Sequence, residues 1–288
     1  MHTLGEALRE ATGRLAASGL PDARLDAEVL LHAATGADRA TLIAWPERRI
    51  SSAQWQQLRA LIERRAAGEP VAHILGRREF WSLSLRVTEH TLIPRPDTEL
   101  LVDWALATLP AQAPLTCADL GTGSGAIAAA LATERPRWTL IGIERCAAAA
   151  AVAADNARRL GLDGLLLARA DWLQALADDS LDAIVANPPY IRAGDPHLIT
   201  GDLRFEPRSA LVAGADGLEA VRAILGDAPR CLRPDGWLAT EHGWDQGAAV
   251  RRLLRDRGFD AVTTHRDLAG HERITSGRIG GRAASGRR

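Results

Sequence analysis

An apolar strand, a glycine turn, an Ala-rich helix and a second apolar strand follow one another between residues 115 and 144. Leu115 to Leu120 reads as the first strand, Gly121-Thr122-Gly123-Ser124-Gly125 as the turn, and the helix runs on to Glu134. The second strand, Leu140-Ile141-Gly142-Ile143, ends at Glu144. The same alternation then repeats. Leu165 to Ala168 is a third strand, Ala183-Ile184-Val185-Ala186 a fourth and Trp237 to Glu241 a fifth, with helices expected at about 217 to 231 and 245 to 257. Strands separated by helical stretches predict a parallel sheet covered by helices. The alternating segments Ala261 to His265 and Glu272 to Thr275 predict an antiparallel closing pair. The expected class is therefore α/β, a Rossmann-like, mostly parallel sheet with an antiparallel closing strand.

Open sheets of this kind place ligands at the carboxyl ends of their strands. Gly121, Gly123 and Gly125 let the backbone come close to a ligand, and the helix that follows offers N–H donors and a partial positive charge. Glu144 lies at the next strand end, where an acid can accept both hydroxyls of a ribose. Asp171 could accept from an adenine amino group, and Trp172 could flank the ring. This unit alone leaves two chemistries open, because Gly121, Gly123 and Ala126 also satisfy a dinucleotide fingerprint.

The fourth strand tips the balance. It runs directly into Asn187-Pro188-Pro189-Tyr190, a set of groups suited to methylating a planar nitrogen. Such a nitrogen is a poor nucleophile because its lone pair is delocalised. The Asn187 side-chain oxygen and the Pro188 carbonyl can each accept one N–H of an –NH2 group, fixing the lone pair toward an incoming methyl, while Tyr190 stacks on the flat substrate. Acceptors also favour the positive charge that develops on nitrogen. No part of this device serves hydride transfer, so the reading is a methyltransferase using S-adenosylmethionine and releasing S-adenosylhomocysteine. Asn187, Pro188 and Tyr190 are the expected catalytic residues, Asn187 to Tyr190 the substrate contacts, and Gly121 to Gly125, Glu144, Asp171, Trp172 and Asn187 the cofactor contacts. Direct in-line displacement needs alignment and no general base.

Composition removes competitors. The 35 basic residues are all Arg, which excludes a Walker phosphate loop and Schiff-base chemistry. A net charge of −1 gives no global pull toward nucleic acid. Cys117, Cys146 and Cys231 show no disulfide pattern, and the histidines show no metal-ligand spacing with them, so no metal and a cytoplasmic location are expected. No stretch approaches the length of a membrane span.

The rest of the chain divides into an all-α N-terminal domain over residues 1–72, an extended β-hairpin linker over 73–93, the catalytic domain over 94–278 and a disordered tail over 279–288. Thr3 and Glu6 have capping-box spacing ahead of Leu4, Leu8, Ala11 and Leu15; a second helix covers Asp22 to Ala34, and a third follows Ser51 and Ser52 with Trp55, Leu58, Ile62 and Ala66 on one stripe. Phe80 to Val87 alternates as a hairpin arm, Asp97 or Thr98 can cap a helix reaching Thr108, and Arg95 could meet a carboxylate. Residues 191–216 read as a long irregular lid or substrate loop.

Taken together, these segments resemble the release factor glutamine methyltransferases over nearly the whole chain. The resemblance rests on Pro70-Val71-Ala72-His73, Arg78-Glu79-Phe80-Trp81, Ile93-Pro94-Arg95-Pro96-Asp97-Thr98-Glu99, Asp119-Leu120-Gly121-Thr122-Gly123-Ser124-Gly125, Asn187-Pro188-Pro189-Tyr190-Ile191, Arg204-Phe205-Glu206-Pro207 and Glu241-His242-Gly243. It implies a class I methyltransferase domain and methylation of the amide nitrogen (N5) of the Gln in the Gly-Gly-Gln motif of peptide chain release factors. It also implies release factors as protein partners, with no membrane and no stable nucleic-acid binding. The sequence departs from the family in Glu144, where the ribose-binding acid is usually Asp, and in Cys146 with the Ala run 147–151. The alternative is an amino-methyltransferase acting on adenine or guanine, which would use the same Asn-Pro-Pro-aromatic device on a flipped base. A scaffold that only binds a nucleoside and a nicotinamide oxidoreductase are the further readings.

Overall fold

The computed structural model describes residues 2–280, which fall into two compact units. The smaller runs to Gly76 and also contains the distant segment Ile199–Phe205. Its helices are α1 (Leu4–Ala17), α2 (Ala23–Thr35), α3 (Arg39–Ala44), α4 (Ser52–Ala66) and α5 (Val71–Leu75). Thr3 and Glu6 cap α1 reciprocally, at 3.2 and 2.8 Å, and Ser51 and Gln54 do the same for α4. Leu4, Leu8, Leu15, Leu30, Leu31 and Leu58 form the core of this unit. Two of its helices were not expected. Those helices, α3 and α5, have six and five residues, too few for a helical period to show. Consequently His73 to Leu75, expected to be extended, belong to a helix that ends at Gly76 in the left-handed conformation.

The segment Ile199–Phe205 joins this unit through arginines. Arg65, buried in α4, donates through Nε to Asp26 (2.7 Å) and through Nη1 to Asp202 (2.8 Å) and the Glu69 carbonyl. Arg204 donates to the Ala67 carbonyl at 2.9 Å.

The larger unit opens with the hairpin β1 (Arg77–Phe80) and β2 (Leu83–Arg86). The expectation of one alternating arm from Phe80 is corrected here: the chain reverses at Trp81-Ser82, with φ of 51° and 58°. That left-handed pair is the turn a two-residue hairpin requires, made without glycine. Trp81 offsets the strain by donating from its backbone to Glu99 and from its indole to Glu134, each at 2.8 Å.

The sheet is built from β3 (Thr116–Leu120), β4 (Thr139–Ile143), β5 (Leu165–Ala168), β6 (Leu181–Ala186), β7 (Leu232–Glu241), β8 (Phe259–Arg266) and β9 (Glu272–Ile279). Its order is β5-β4-β3-β6-β7-β9-β8, parallel except for β9, which runs antiparallel to both neighbours. Helices α6 (Glu99–Thr108), α7 (Ala126–Glu134), α8 (Ala147–Arg159), α9 (Glu219–Cys231) and α10 (Gly247–Asp256) accompany it. Two apolar clusters flank the sheet, one around Leu101, Leu131 and Val185 and one around Leu120, Ile184 and Leu238. Strands buried on both faces read as continuous apolar runs, as here.

Three boundaries differ from expectation. Strand β7 starts at Leu232 and carries Pro234-Asp235-Gly236 as an irregularity in which Asp235 has φ 65°, so those residues do not end an element before it. Residues 191–216 contain 3₁₀ turns at Pro196–Ile199, Gly201–Phe205 and Arg208–Ala210, and a bridge from Ile191 to Val212. Ile279 pairs with Phe259 in the sheet, so the expected tail cannot begin at 279; residues 281–288 lie outside the described residues. No helix among the described residues is long and apolar enough to cross a membrane.

Candidate active site

Register brings the motif residues to one level. Leu120 pairs with Ile143 and with Ala186, Ile143 with Ala168, and Ala186 with Thr240. The next residue of each of four strands is therefore Gly121, Glu144, Asn187 and Glu241, side by side at the carboxyl edge of the sheet.

Gly121, Glu144, Asp171, Trp172 and Pro189 line a cavity of about 460 Å³. Gly121 has φ 69°, and a Cβ there would lie 3.4 Å from the Trp172 ring, so glycine keeps this wall open. Trp172 itself is held at φ 47°. Glu144 accepts from the Gly123 N–H at 3.1 Å and the Cys146 N–H at 2.8 Å, fixing its carboxylate between the turn and the start of α8.

The remaining turn residues serve the turn itself. The N–H groups of Gly121 and Thr122 both donate to the Ile143 carbonyl, at 2.8 and 3.0 Å. The Thr122 hydroxyl donates to Asp119 (2.6 Å), and the Ser124 carbonyl accepts from Asn156 (2.8 Å). Thr122 and Ser124 are buried, with these bonds directed into the protein. Asp119 also accepts from the Ala128 N–H in the first turn of α7, so the anion nearest that helix start is a side chain of the chain itself. Its second oxygen, Oδ1, is buried without a partner, and burial pushes the carboxyl up to about 6.

Asn187 and Tyr190 do not line this cavity; they belong to an adjoining network. The Asn187 Nδ2 donates to Thr98 Oγ1 (3.0 Å), Thr98 Oγ1 donates to Glu241 Oε2 (2.7 Å), and the Tyr190 hydroxyl donates to Glu241 Oε1 (3.3 Å). Thr98 precedes α6 but makes no capping bond; its hydroxyl is taken by this network, which corrects the expectation of a cap. Asp97, the other candidate cap, pairs with Arg273 at 3.1 Å. Arg95 does meet a carboxylate: it pairs with buried Glu206, which also accepts from the Ile93 N–H at 2.9 Å.

Glu241 is 1% exposed, and burial pushes its carboxyl up to about 7, against the opposing pull of Thr98, Tyr190 and Arg273. Burial also raises the Tyr190 phenol above its ordinary range. A carboxyl whose pKa is higher folded than unfolded gives stability that is full below about 4.5 and lost as pH rises through about 7. That difference corresponds to ~3 kcal/mol, an order-of-magnitude figure. Glu241→Gln removes the titration. Its melting temperature relative to the unmodified protein is expected to rise between pH 4.5 and pH 8, which parallel thermal melts check; a constant difference would show that Glu241 titrates normally.

From the sequence, Thr98, Asp119 and Asn156 have no role at the site, and Glu241 is placed only at a strand end and within a motif. The one signal available for Thr98 and Glu241 was their place in segments carrying the family resemblance.

The cavity fits a nucleoside joined to an amino acid in size, has a cradle that a Cβ would narrow, and carries acids at two strand ends. Comparison with known proteins agrees with that chemistry. Residues 6–76 match the family described as PrmC N-terminal domain, and residues 97–203 the family described as methyltransferase small domain. The release factor glutamine methyltransferase of Pseudomonas aeruginosa is 56% identical over 257 residues, covering 89% of this chain and 93% of the relative. That of Escherichia coli K12 is 48% identical over 271 residues, covering 94% and 97%. Among solved structures, the hMettl16 catalytic domain in complex with MAT2A 3'UTR hairpin 6 aligns with a TM-score of 0.56 at 20% identity, over 75% of this chain and 81% of its own, a likeness of fold. The sheet is thus that of a Rossmann-like class I methyltransferase. At such identity over nearly its full length, the chain belongs to the release factor glutamine methyltransferase family.

Proposed function

We propose that the protein transfers a methyl group from S-adenosylmethionine to the side-chain amide nitrogen of the Gln in the Gly-Gly-Gln motif of peptide chain release factors. The observation that carries this reading is the register: Asn187 stands beside Gly121 on the neighbouring strand end, so a nitrogen held at one meets a donor held at the other. Relatives that share about half of its residues bear that activity in their names.

S-adenosylmethionine, when bound, supplies an electrophilic methyl on a sulfonium. Gly121 would form its floor, with Thr122 to Gly125 holding the turn in shape behind it, Glu144 would face the ribose, and Asp171 with Trp172 would receive the adenine. Asn187 and the Pro188 carbonyl would hold the two amide hydrogens of the substrate, and Tyr190 would cover its face. Pro189, which lines the cavity, joins the two halves. The chain's own contribution is alignment and exclusion of water, and alignment of this kind can supply ~7–11 kcal/mol. The helical unit, which runs to Gly76 and includes Ile199–Phe205, would dock the release factor, and the larger unit from Arg77 would carry catalysis. Three free cysteines suit a cytoplasmic setting.

Labelled S-adenosylmethionine is offered with a purified release factor, with the same factor lacking its Gly-Gly-Gln glutamine, and with total RNA and DNA. Label is expected on the intact factor alone. Label confined to nucleic acid would overturn the proposal in favour of a base methyltransferase. Trp172→Ala is expected to weaken binding of the methyl donor ~10-fold or more, from loss of ~1.5 kcal/mol or more of stacking and apolar contact. Calorimetric titration checks this, and unchanged affinity would remove Trp172 from the donor site.

A further inference from the structure

The network behind Asn187 has a polarity. A carboxylate has no proton to give, so both groups bonded to an ionised Glu241 must be donors. Thr98 Oγ1 donates to Glu241 Oε2 at 2.7 Å, so its single hydrogen is committed there. Its lone pairs are all that remain for the neighbour 3.0 Å away on Asn187. Only the –NH2 end of the Asn187 amide can satisfy them, and the Oδ1 end is left to face outward. Tyr190, donating to Oε1 of the same carboxylate, is polarised in the same direction.

We propose that Thr98 and Glu241 are positioning residues that fix the Asn187 side chain with its oxygen toward the substrate nitrogen. An amide can turn over about its terminal bond at almost no steric cost, because its two ends are nearly the same size. A reversed Asn187 would present N–H groups to the N–H groups of the substrate amide. The site therefore needs a device that tells the two ends apart. Glu241 supplies it without touching the substrate: a buried acceptor orders the hydroxyl, and the hydroxyl orders the amide. The inference rests on the proposed glutamine methylation, since it concerns how that nitrogen is received.

The direction of the chain depends on the charge of Glu241. Once protonated, the carboxyl can donate to Thr98, free the threonine hydrogen for Asn187 and remove the preference. The charged and titratable groups facing Glu241 are Tyr190 from the segment after β6, Arg273 from β9, and Asp97 beside Thr98. Arg273 favours the ionised form, and Asp97 and burial oppose it. Activity should accordingly fall as pH drops below the neutral range.

The test measures label transfer to a purified release factor, with kcat and KM resolved between about pH 5.5 and 8.5. Transfer by the unmodified protein comes first; its absence would sink the proposed function and is distinct from every result below. Thr98→Val keeps the volume and removes the hydroxyl. At pH 8 its kcat is expected to fall ~10-fold or more, short of the ~10²–10³ cost of losing a direct partner, with both KM values nearly unchanged. Thr98→Ser restores the hydroxyl and should recover most of kcat. The unmodified protein should lose kcat toward acid pH, and Glu241→Gln should flatten that limb. Two results would overturn the inference: Thr98→Val turning over like the unmodified protein at pH 8, or Glu241→Gln keeping the acid limb. Thermal melts of each variant separate a loss of kcat from a loss of fold.

Discussion

Asn187→Ala is expected to reduce kcat for glutamine methylation by at least ~10²–10³-fold, with cofactor affinity within about threefold of the unmodified protein. The side chain removed is the one that would accept an amide hydrogen of the substrate, so both the orientation of the nitrogen lone pair and the stabilisation of its developing positive charge are lost. Asn187 does not line the cavity of Gly121, Glu144 and Trp172, so binding there should be nearly untouched. The fold should also survive: Asn187 is half-buried at a strand end, and its Nδ2 bonds a threonine that keeps its bond to Glu241. Single-turnover label transfer, with calorimetry for the cofactor, checks both halves. Near-normal turnover would remove Asn187 from the chemistry.

The second large effect concerns stability. Asn156 on α8 is 1% exposed and makes three hydrogen bonds. Its Oδ1 accepts from the Arg86 N–H (2.7 Å), and its Nδ2 donates to the carbonyls of Arg86 (3.0 Å) and Ser124 (2.8 Å). One side chain thereby ties the hairpin strand β2 and the glycine turn to the same helix. Asn156→Ala leaves three backbone groups short of a partner, the Ser124 carbonyl at a buried bond and the Arg86 N–H and carbonyl at half-buried ones. At ~1–3 kcal/mol each, partly relieved by relaxation, the cost is expected to be ~3–5 kcal/mol. For a domain of this size that lowers the melting temperature by ~6–20 °C. Because Ser124 lies in the turn, cofactor affinity should fall as well. Differential scanning calorimetry with cofactor titration tests the pair of effects, and a shift of less than about 3 °C would contradict the tie.

The sheet was legible because each parallel strand is a short apolar run followed by a helix, a pattern of local composition. The cavity lining was legible for the same reason, since Gly121 and Glu144 follow directly from strand ends and Trp172 lies shortly beyond one. The partners of Asn187 were not. Thr98 stands just before a helix, where a hydroxyl ordinarily caps, and its bond to a residue 143 positions away cannot be read from its neighbours. Glu241 looked like an ordinary strand end until the pairing of Thr240 with Ala186 set it level with Asn187. The hairpin turn was hidden by chemistry: Trp81 and Ser82 adopt a backbone that usually announces itself with Asn or Gly.

The membership of Ile199–Phe205 in the helical unit bears on how this protein can be dissected. Its first 76 residues are not a self-sufficient cassette. A fragment ending at Gly76 would keep Arg65 buried beside Asp26 while deleting Asp202, the second carboxylate of that guanidinium. A fragment starting at Arg77 would retain Asp202 and Arg204 but strip them of the groups they bond. A swap of the helical unit between relatives would therefore have to carry these seven residues along, although they lie more than a hundred positions downstream. In this chain the genetic boundary and the physical boundary of the helical unit are different lines.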